Sequence, residues 1–578
     1  MSYNRHVLRV GLAVAAAVSV ATLAPAPVAI AHLERPSQFP DPSRGAVPEY
    51  RTNGPSLVVC KPDSAARIER LLDGALLRKN LELLRDCRFH HIQAAVDAAS
   101  NGMRILILPG MYREQPSRDA PVDPDCEALL VPLGVGRLLV PSYAYQQRCP
   151  TAQNLIAIIG DSDGDGVCDA KCNLQIEGTG SKPSQVVISG DRAKLNTIRA
   201  DRADGVFLRN FTVQYSDFNN VYVLETNGFR FDRIVSRWSR EYGFLTFTSD
   251  HGLYENVVAY GAGDAGIYPG SGPEGHCARY GIEIRNANSY GNVFGLSGNS
   301  GNGLWVHDSR FHHNGAGLVV GSLGPGHPGQ PQDCSKFERN RIYSNNLDLY
   351  SRARDDYCRR PPVERSAARL CPTTPAPLGT GLMILGGNRN LVRANWIYDN
   401  WRTGVHLGWA PVRERARTVL GLRTLGLLLE GVGDVVAMPT SHGNRFLGNR
   451  MGVRPDGRRA SNGLDFTWDR EGRRNCWSGN RGLAADAVTS EPRRLPGCPG
   501  PSRSIPPTPG TIAELLACAG WTVADRHPRG CSWTTLPEQP SVGSSGSTWT
   551  ALRVVLVFAI LLAAVTAAVL AGRLIRRR

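Results

Sequence analysis

Gly381-Leu-Met-Ile384 is followed 23 residues later by Gly404-Val-His-Leu407, and this pairing decides the fold. The same glycine-apolar-any-apolar pattern stands at Gly205-Val-Phe-Leu208, Gly281-Ile-Glu-Ile284, Gly303-Leu-Trp-Val306 and Gly317-Leu-Val-Val320. Looser copies occur at Gly243-Phe-Leu-Thr246 and Gly266-Ile-Tyr-Pro269. The spacing is again 23 from Gly243 to Gly266 and 22 from Gly281 to Gly303. Short strands recurring at such a period, with glycine and asparagine between them, predict a stacked solenoid. Asn210, Asn256, Asn286, Asn292, Asn314, Asn340, Asn388, Asn395 and Asn400 follow strands. Tolerance of left-handed turns is the structural role expected of them. The repeat places any ligand outside the stack without choosing the ligand.

Upstream of the repeat, His91-Ile-Gln-Ala-Ala-Val-Asp-Ala-Ala99, Gly102, Ile105-Leu-Ile107, Pro109-Gly110, Tyr112 and Glu114 form a second pattern. It resembles the N-terminal cap of pectin-lyase-like right-handed parallel β-helices, in which an amphipathic helix closes the open end of the solenoid. An uncovered strand edge is an aggregation template, so a solenoid needs such a cap. The resemblance implies an all-β, right-handed parallel β-helix with an N-terminal capping helix. It implies little about chemistry, because one scaffold hosts many activities.

The chain is expected to divide as follows. Residues 1–31 are an export signal, with Arg5 and Arg9 ahead of an apolar run and Ala29-Ile-Ala31 as the cleavage site. Residues 32–86 are a proline-rich linker and a short helix between Ala65 and Leu84. The β-helix spans 87–491, interrupted near 325–377 and 412–438. Residues 492–550 are a Pro/Ser-rich stalk, 551–573 a transmembrane helix and 574–578 a basic cytoplasmic tail. Val554–Gly572 is uncharged and 19 residues long, enough to span a bilayer core, and four arginines follow it. The body then lies outside the cytoplasm, at the cell surface. Leu536-Pro-Glu-Gln-Pro540 resembles a bacterial wall-sorting signal but lacks the Thr-Gly pair of that motif, which favours a plain membrane anchor.

Fourteen cysteines lie between the two hydrophobic ends, an even number that reads as disulfides. Pairing between sequence neighbours, 60 with 87 and 126 with 149 onward, would staple successive loops, though sequence alone leaves connectivity open. No zinc-type cysteine or histidine spacing occurs. Net charge is +15, and six of the 66 basic residues are lysine. A basic exterior favours anionic polymers. Nucleic acid is excluded as a partner by the compartment and by the lack of a basic cluster with interleaved aromatics.

Equal phase in successive coils stacks residues about 4.8 Å apart. With the apolar positions inward, Tyr222, Leu245 and Tyr268 form one outward ladder, and Leu224 and Phe247 the next. Tyr222, Phe247 and Tyr268 are candidate sugar-stacking residues if the face is open; the alternative is that they lie under a loop. Beyond the strand ends, Asp250, His251, Glu274 and His276, with Arg240 on the preceding turn, form a candidate catalytic cluster. A cation, a base and an acid of this kind suit β-elimination or C5-epimerisation of a uronic acid, and paired carboxylates suit glycoside hydrolysis. Arg240-Glu-Tyr-Gly-Phe244 followed by Asp250-His251 faintly resembles a stretch of alginate epimerases; their Asp-Pro-His element is absent, so no residue role follows.

Asp161-Ser-Asp-Gly-Asp-Gly166 with Asp169 matches the first half of a calcium loop and resembles thrombospondin type 3 and dockerin-like loops. Asp161, Asp163, Asp165 and Asp169 are the candidate calcium ligands; Cys172 at the twelfth position excludes an EF-hand proper. A solvated Asp/Gly turn is the alternative. Three functional readings remain: an enzyme acting on acidic polysaccharide (lyase, epimerase or hydrolase), a non-catalytic glycan-binding surface protein, and a structural envelope protein.

Overall fold

Alternate strand residues point into the stack, and one inward column runs unbroken through successive coils. It passes from Ile156 through Ile198, Val221, Phe244 and Ile267 to Leu382, Val405 and Phe466, all of them buried. Burying each such side chain contributes about 1.5–3 kcal/mol, which is what makes a coil stack on its neighbour. The computed structural model describes residues 35–132, 139–322, 328–353, 356–361, 364–365, 368–408, 441–483, 487–503, 518 and 530–540. Met1–Glu538 is one compact unit; of the second, Gln539–Arg578, only residues 539 and 540 are described.

Among the described residues, three parallel sheets of eleven, thirteen and ten strands run the length of the stack; they are called here sheets I, II and III. One coil runs through Asn219–Leu224 in sheet I, Asn227–Asp232 in sheet II and Val235–Arg237 in sheet III, then re-enters sheet I at Phe244–Phe247. This is a right-handed parallel β-helix. The helix Ile92–Ala98 packs on the first coil, and Glu114 accepts hydrogen bonds from the amides of Ile92 and Gln93 at its start.

The eight glycine repeats divide between two sheets for two reasons. In sheet I a Cβ on Gly243, Gly317 or Gly381 would lie 2.5, 2.3 or 2.4 Å from the carbonyl oxygen of Gly266, Gly381 or Gly404 on the next coil. In sheet II, Gly205 and Gly303 instead turn the chain with φ of +75° and +56°.

The asparagines likewise fall into two classes. Asn210, Asn256 and Asn286 adopt positive φ as expected. Asn292, Asn314, Asn345, Asn400 and Asn462 do not; they form a buried ladder in which each side-chain amide donates to the next. A second ladder joins Asn340, Asn395, Asn449 and Asn480. These satisfy amides at the turns that stacking removes from water.

Several sequence boundaries shift. Residues 35–55 are no loose linker: Arg35 donates to both Asp201 and Glu225 beneath the surface, and Tyr50 packs on Phe207. Burial works against the charge of Asp201, but Arg35 and Arg199 outweigh it and hold that carboxyl down at about 2. The Ala65–Leu84 stretch is two helices, Ser64–Leu71 and Gly74–Arg85. The 325–377 interruption still contains two coil strands, Lys336–Glu338 and Arg341–Tyr343. Within the expected stalk, Trp533 and Leu536 pack back onto the body. The export signal, the 412–438 insertion and the transmembrane segment lie outside the described residues. Among the described residues no helix is long and apolar enough to cross a membrane.

All fourteen cysteines pair with sequence neighbours: 60–87, 126–149, 168–172, 277–334, 358–371, 476–498 and 518–531. Seven disulfides and no free thiol mark a chain that folds in an oxidising compartment outside the cytoplasm.

Candidate functional site

The outer face of sheet I carries the anticipated ladder in the anticipated register. Tyr222 pairs with Leu245 and Leu245 with Tyr268, while Leu224 pairs with Phe247. It is no sugar platform, however. Tyr222, Phe247 and Tyr268 are 2, 3 and 2 % exposed. They share an apolar cluster with Leu349, Tyr350, Ala376 and Leu378 of the long loop and with Trp533 and Leu536. The cover is held by the Cys358–Cys371 disulfide, by Thr373 donating to Gly263 O and by Leu378 N donating to Trp533 O. Beneath it, burial raises Asp264 to about 7, and burial and then Asp264 itself push Glu241 up.

Among the described residues no hydrogen bond or ion pair joins Asp250 and His251 to Glu274, His276 or Arg240. Asp250 is fully buried and gripped by both terminal nitrogens of Arg279, at 2.8 and 2.5 Å. His251 shares a 2.8 Å hydrogen bond with Asn227, whose amide donates to Asp41 O on the N-terminal arm. Glu274 and His276 face each other at 3.2 Å on an exposed loop, and Arg389 approaches Glu274 from the other side. Arg240 sits at the turn from sheet III into sheet I, 3.6 Å from Asp217. Glu274 and His276 stand on the loop that leads to Arg279, the residue that grips Asp250.

The aspartate loop folds largely onto itself. Carboxylate oxygens of Asp161, Asp163 and Asp165 lie within 4.8 Å of one another. Asp161 accepts from the amides of Gly164 and Gly166 and from Arg202. Asp169 is turned to Ser162 instead. Three of the four candidates therefore stand as a possible oxygen cradle, one of them already partnered by a cation.

Sheet III presents the feature that sequence reasoning missed. Tyr260, Tyr290, His312, Tyr343 and Tyr398 occupy one outward column on successive coils. Their rings stack face to face with centroids 5.2, 5.3, 4.8 and 4.9 Å apart and interplanar angles of 12, 7, 8 and 8°. Each ring covers its neighbour's face, so polar edges rather than faces meet solvent. His312 donates from Nε2 to Asn288 and accepts at Nδ1 from His313. Burial, then His313 and Arg310, push its pKa down to about 4, so the ring is neutral in the row. Beside the rings runs a second column that includes Asn288, Arg310, Arg341, Trp396 and Arg450. Arg310 and Arg341 are exposed, stand on adjacent rungs and close no ion pair among the described residues. Like charges opposite one another on a sheet repel, so a bound anion would relieve them.

Sheet II offers a contrast. Its outward acids and bases neutralise one another: Lys336, Arg393 and Trp305 all donate to Glu338, and against its burial they hold it at about 2. The signal for the sheet III row was present in Arg339-Asn-Arg-Ile-Tyr-Ser-Asn345 and Arg393-Ala-Asn-Trp-Ile-Tyr-Asp-Asn400, where an outward ring stands two residues before a ladder asparagine.

No family model and no curated protein matches the chain. Among solved structures, the A-module of mannuronan C-5 epimerase AlgE4 of Azotobacter vinelandii is 14% identical, with 67% of this chain and 90% of that one covered and a TM-score of 0.32. DFA-IIIase from Arthrobacter chlorophenolicus A6 is 11% identical, covering 70% of this chain and 85% of that one, with a TM-score of 0.34. Pectate lyase Pel9A is 11% identical, covering 80% and 86%, with a TM-score of 0.28. At these values no residue role, substrate or reaction carries over to this chain.

Proposed function

We propose that this protein binds an anionic polysaccharide along the outer face of sheet III. The observation that carries this reading is the pair of exposed guanidinium groups of Arg310 and Arg341 beside the ring row, which close no ion pair among the described residues. A linear polyanion lying along the stack would meet the arginines and the polar ring edges together, over a row about 20 Å long at the strand spacing. Binding is favoured over catalysis because no hydrogen bond or ion pair among the described residues joins the two candidate pairs, and Asp250 is neutralised by Arg279. Any processing of the polymer would fall to the pairs Asp250 with His251 and Glu274 with His276, at the turn into sheet II. The test is a glycan array probed with the full-length chain. Uronate or sulfated polymers are expected to bind and to be released by salt, with neutral polymers unbound; equal binding of neutral polymers would refute the reading. Product analysis on the bound polymer then tests for turnover.

The same proposal places the body outside the cytoplasm on an anchor at 551–573 after removal of 1–31. A mature chain beginning at His32 and resisting alkaline extraction from membranes is the expected result. Calcium at Asp161, Asp163 and Asp165 would rigidify the loop that the Cys168–Cys172 disulfide closes.

A further inference from the structure

We propose that the cavity at the Tyr398 end of the ring row is a subsite for one anionic sugar residue, held between Arg341 and Arg454. It rests on the reading of sheet III given above and adds a defined position and ligand class to it. The row stops for a structural reason. Ile397 pairs with Met451, so the rung after Tyr398 carries Gly452 and adds no sixth ring. The chain then turns through a short ribbon closed by the Val453–Arg459 bridge, which brings Arg454, Pro455 and Asp456 beside Tyr343 and Tyr398. The open cleft so formed has a volume of about 440 Å3. Small-molecule sites span roughly 300–1,000 Å3, so the cleft has room for a sugar residue with its anionic substituent.

The charges are arranged for an anion. Arg341 and Arg454 both line the cavity, and neither closes an ion pair among the described residues. Asp456, the acid at the same rim, is committed to Arg458, which donates to it at 2.8 Å and holds its carboxyl below the usual range. Asp399 nearby accepts from Ser344 and Trp401. Asp456 is shared with Arg454 more weakly, so one acid faces Arg341, Arg454 and Arg458 and the rim keeps a positive excess; a guanidinium pairs well with a carboxylate or sulfate. Burial and then Tyr343 raise the Tyr398 phenol to about 12, which keeps it a neutral donor beside the anion.

Two probes separate this subsite from the face that contains it. One is a hexuronic acid tetramer, with its carboxyl-reduced counterpart as control; the other is the long uronate polymer. For the full-length chain, Arg454→Ala is expected to weaken tetramer binding at least about tenfold, the usual weight of a charge-assisted contact. The reduced tetramer is expected not to bind. Arg310→Ala should weaken binding of the long polymer, which covers that rung, at least about tenfold. Tetramer binding unaffected by Arg454→Ala, or equal binding of the reduced tetramer, overturns the subsite even if Arg310→Ala still weakens the polymer. If Arg310→Ala also leaves the polymer unaffected, the reading of the whole face fails with it.

Discussion

The outer faces of sheets I and III begin with the same ingredients and end in opposite states. Each bears an in-register column of large aromatic and apolar side chains pointing out of the stack. On sheet I the column is sealed by loop residues 349–378 and by Trp533 and Leu536, and it works as a second core. On sheet III no such cover lies among the described residues; the rings shield one another by stacking and leave a polar, cationic edge to water. An aromatic ladder by itself is thus no evidence of a binding face. The neighbouring column separates the cases, apolar under the cover and arginine-bearing in the open.

The largest expected difference is in stability. Phe247→Ala, under the cover, should cost about 3–5 kcal/mol, whereas Tyr290→Ala, half-exposed, should cost about 1 kcal/mol. Equal costs by denaturant titration would break the distinction between sealed and open faces.

The two faces should also respond to pH in opposite senses. Asp264 is raised from 3.8 to about 7, so the folded state holds its proton. Its stabilising contribution is complete below the unfolded value and is lost as pH rises through about 7. His312 is lowered from 6.5 to about 4; stability is complete above 6.5 and lost as pH falls through about 4. Melting profiles should therefore rise at alkaline pH in Asp264→Asn and at acid pH in His312→Gln. A Asp264→Asn chain with the parent's alkaline slope would remove the buried carboxyl from the account.

Function should divide the other way. Arg310→Ala combined with Arg341→Ala should reduce affinity for a uronate polymer at least about tenfold while shifting stability by no more than about 0.5 kcal/mol. The smallest effect concerns the aspartate loop. Calcium should raise the melting temperature by about 2 °C, and Asp163→Asn should abolish that increment. A melt insensitive to calcium and chelator argues against a cation there.

Much of this was legible in the residues. The register of Tyr222, Leu245 and Tyr268 follows from a period of 23 because a parallel stack keeps phase from coil to coil. The capping helix and Glu114 are local and were visible together. The neighbour pairing of the cysteines is one option among many in the sequence, and only the folded backbone brings each pair together. The asparagine ladders were mistaken for turn chemistry, since the same residue type serves a left-handed turn at Asn256 and an internal amide chain at Asn314. Phase governs strands and so places Asp250, whereas Glu274 and His276 stand on a loop that phase does not place.

By itself the sequence determined the coil period, which side chains face outward, the closed end and the oxidising compartment, all of which rest on local pattern or composition. Only the tertiary structure decided which outward face is available. That depends on whether segments far along the chain, such as Leu349–Leu378 and Trp533–Leu536, pack down on a given column. The burial of those segments is a cooperative gain in apolar contact that no short window of sequence contains.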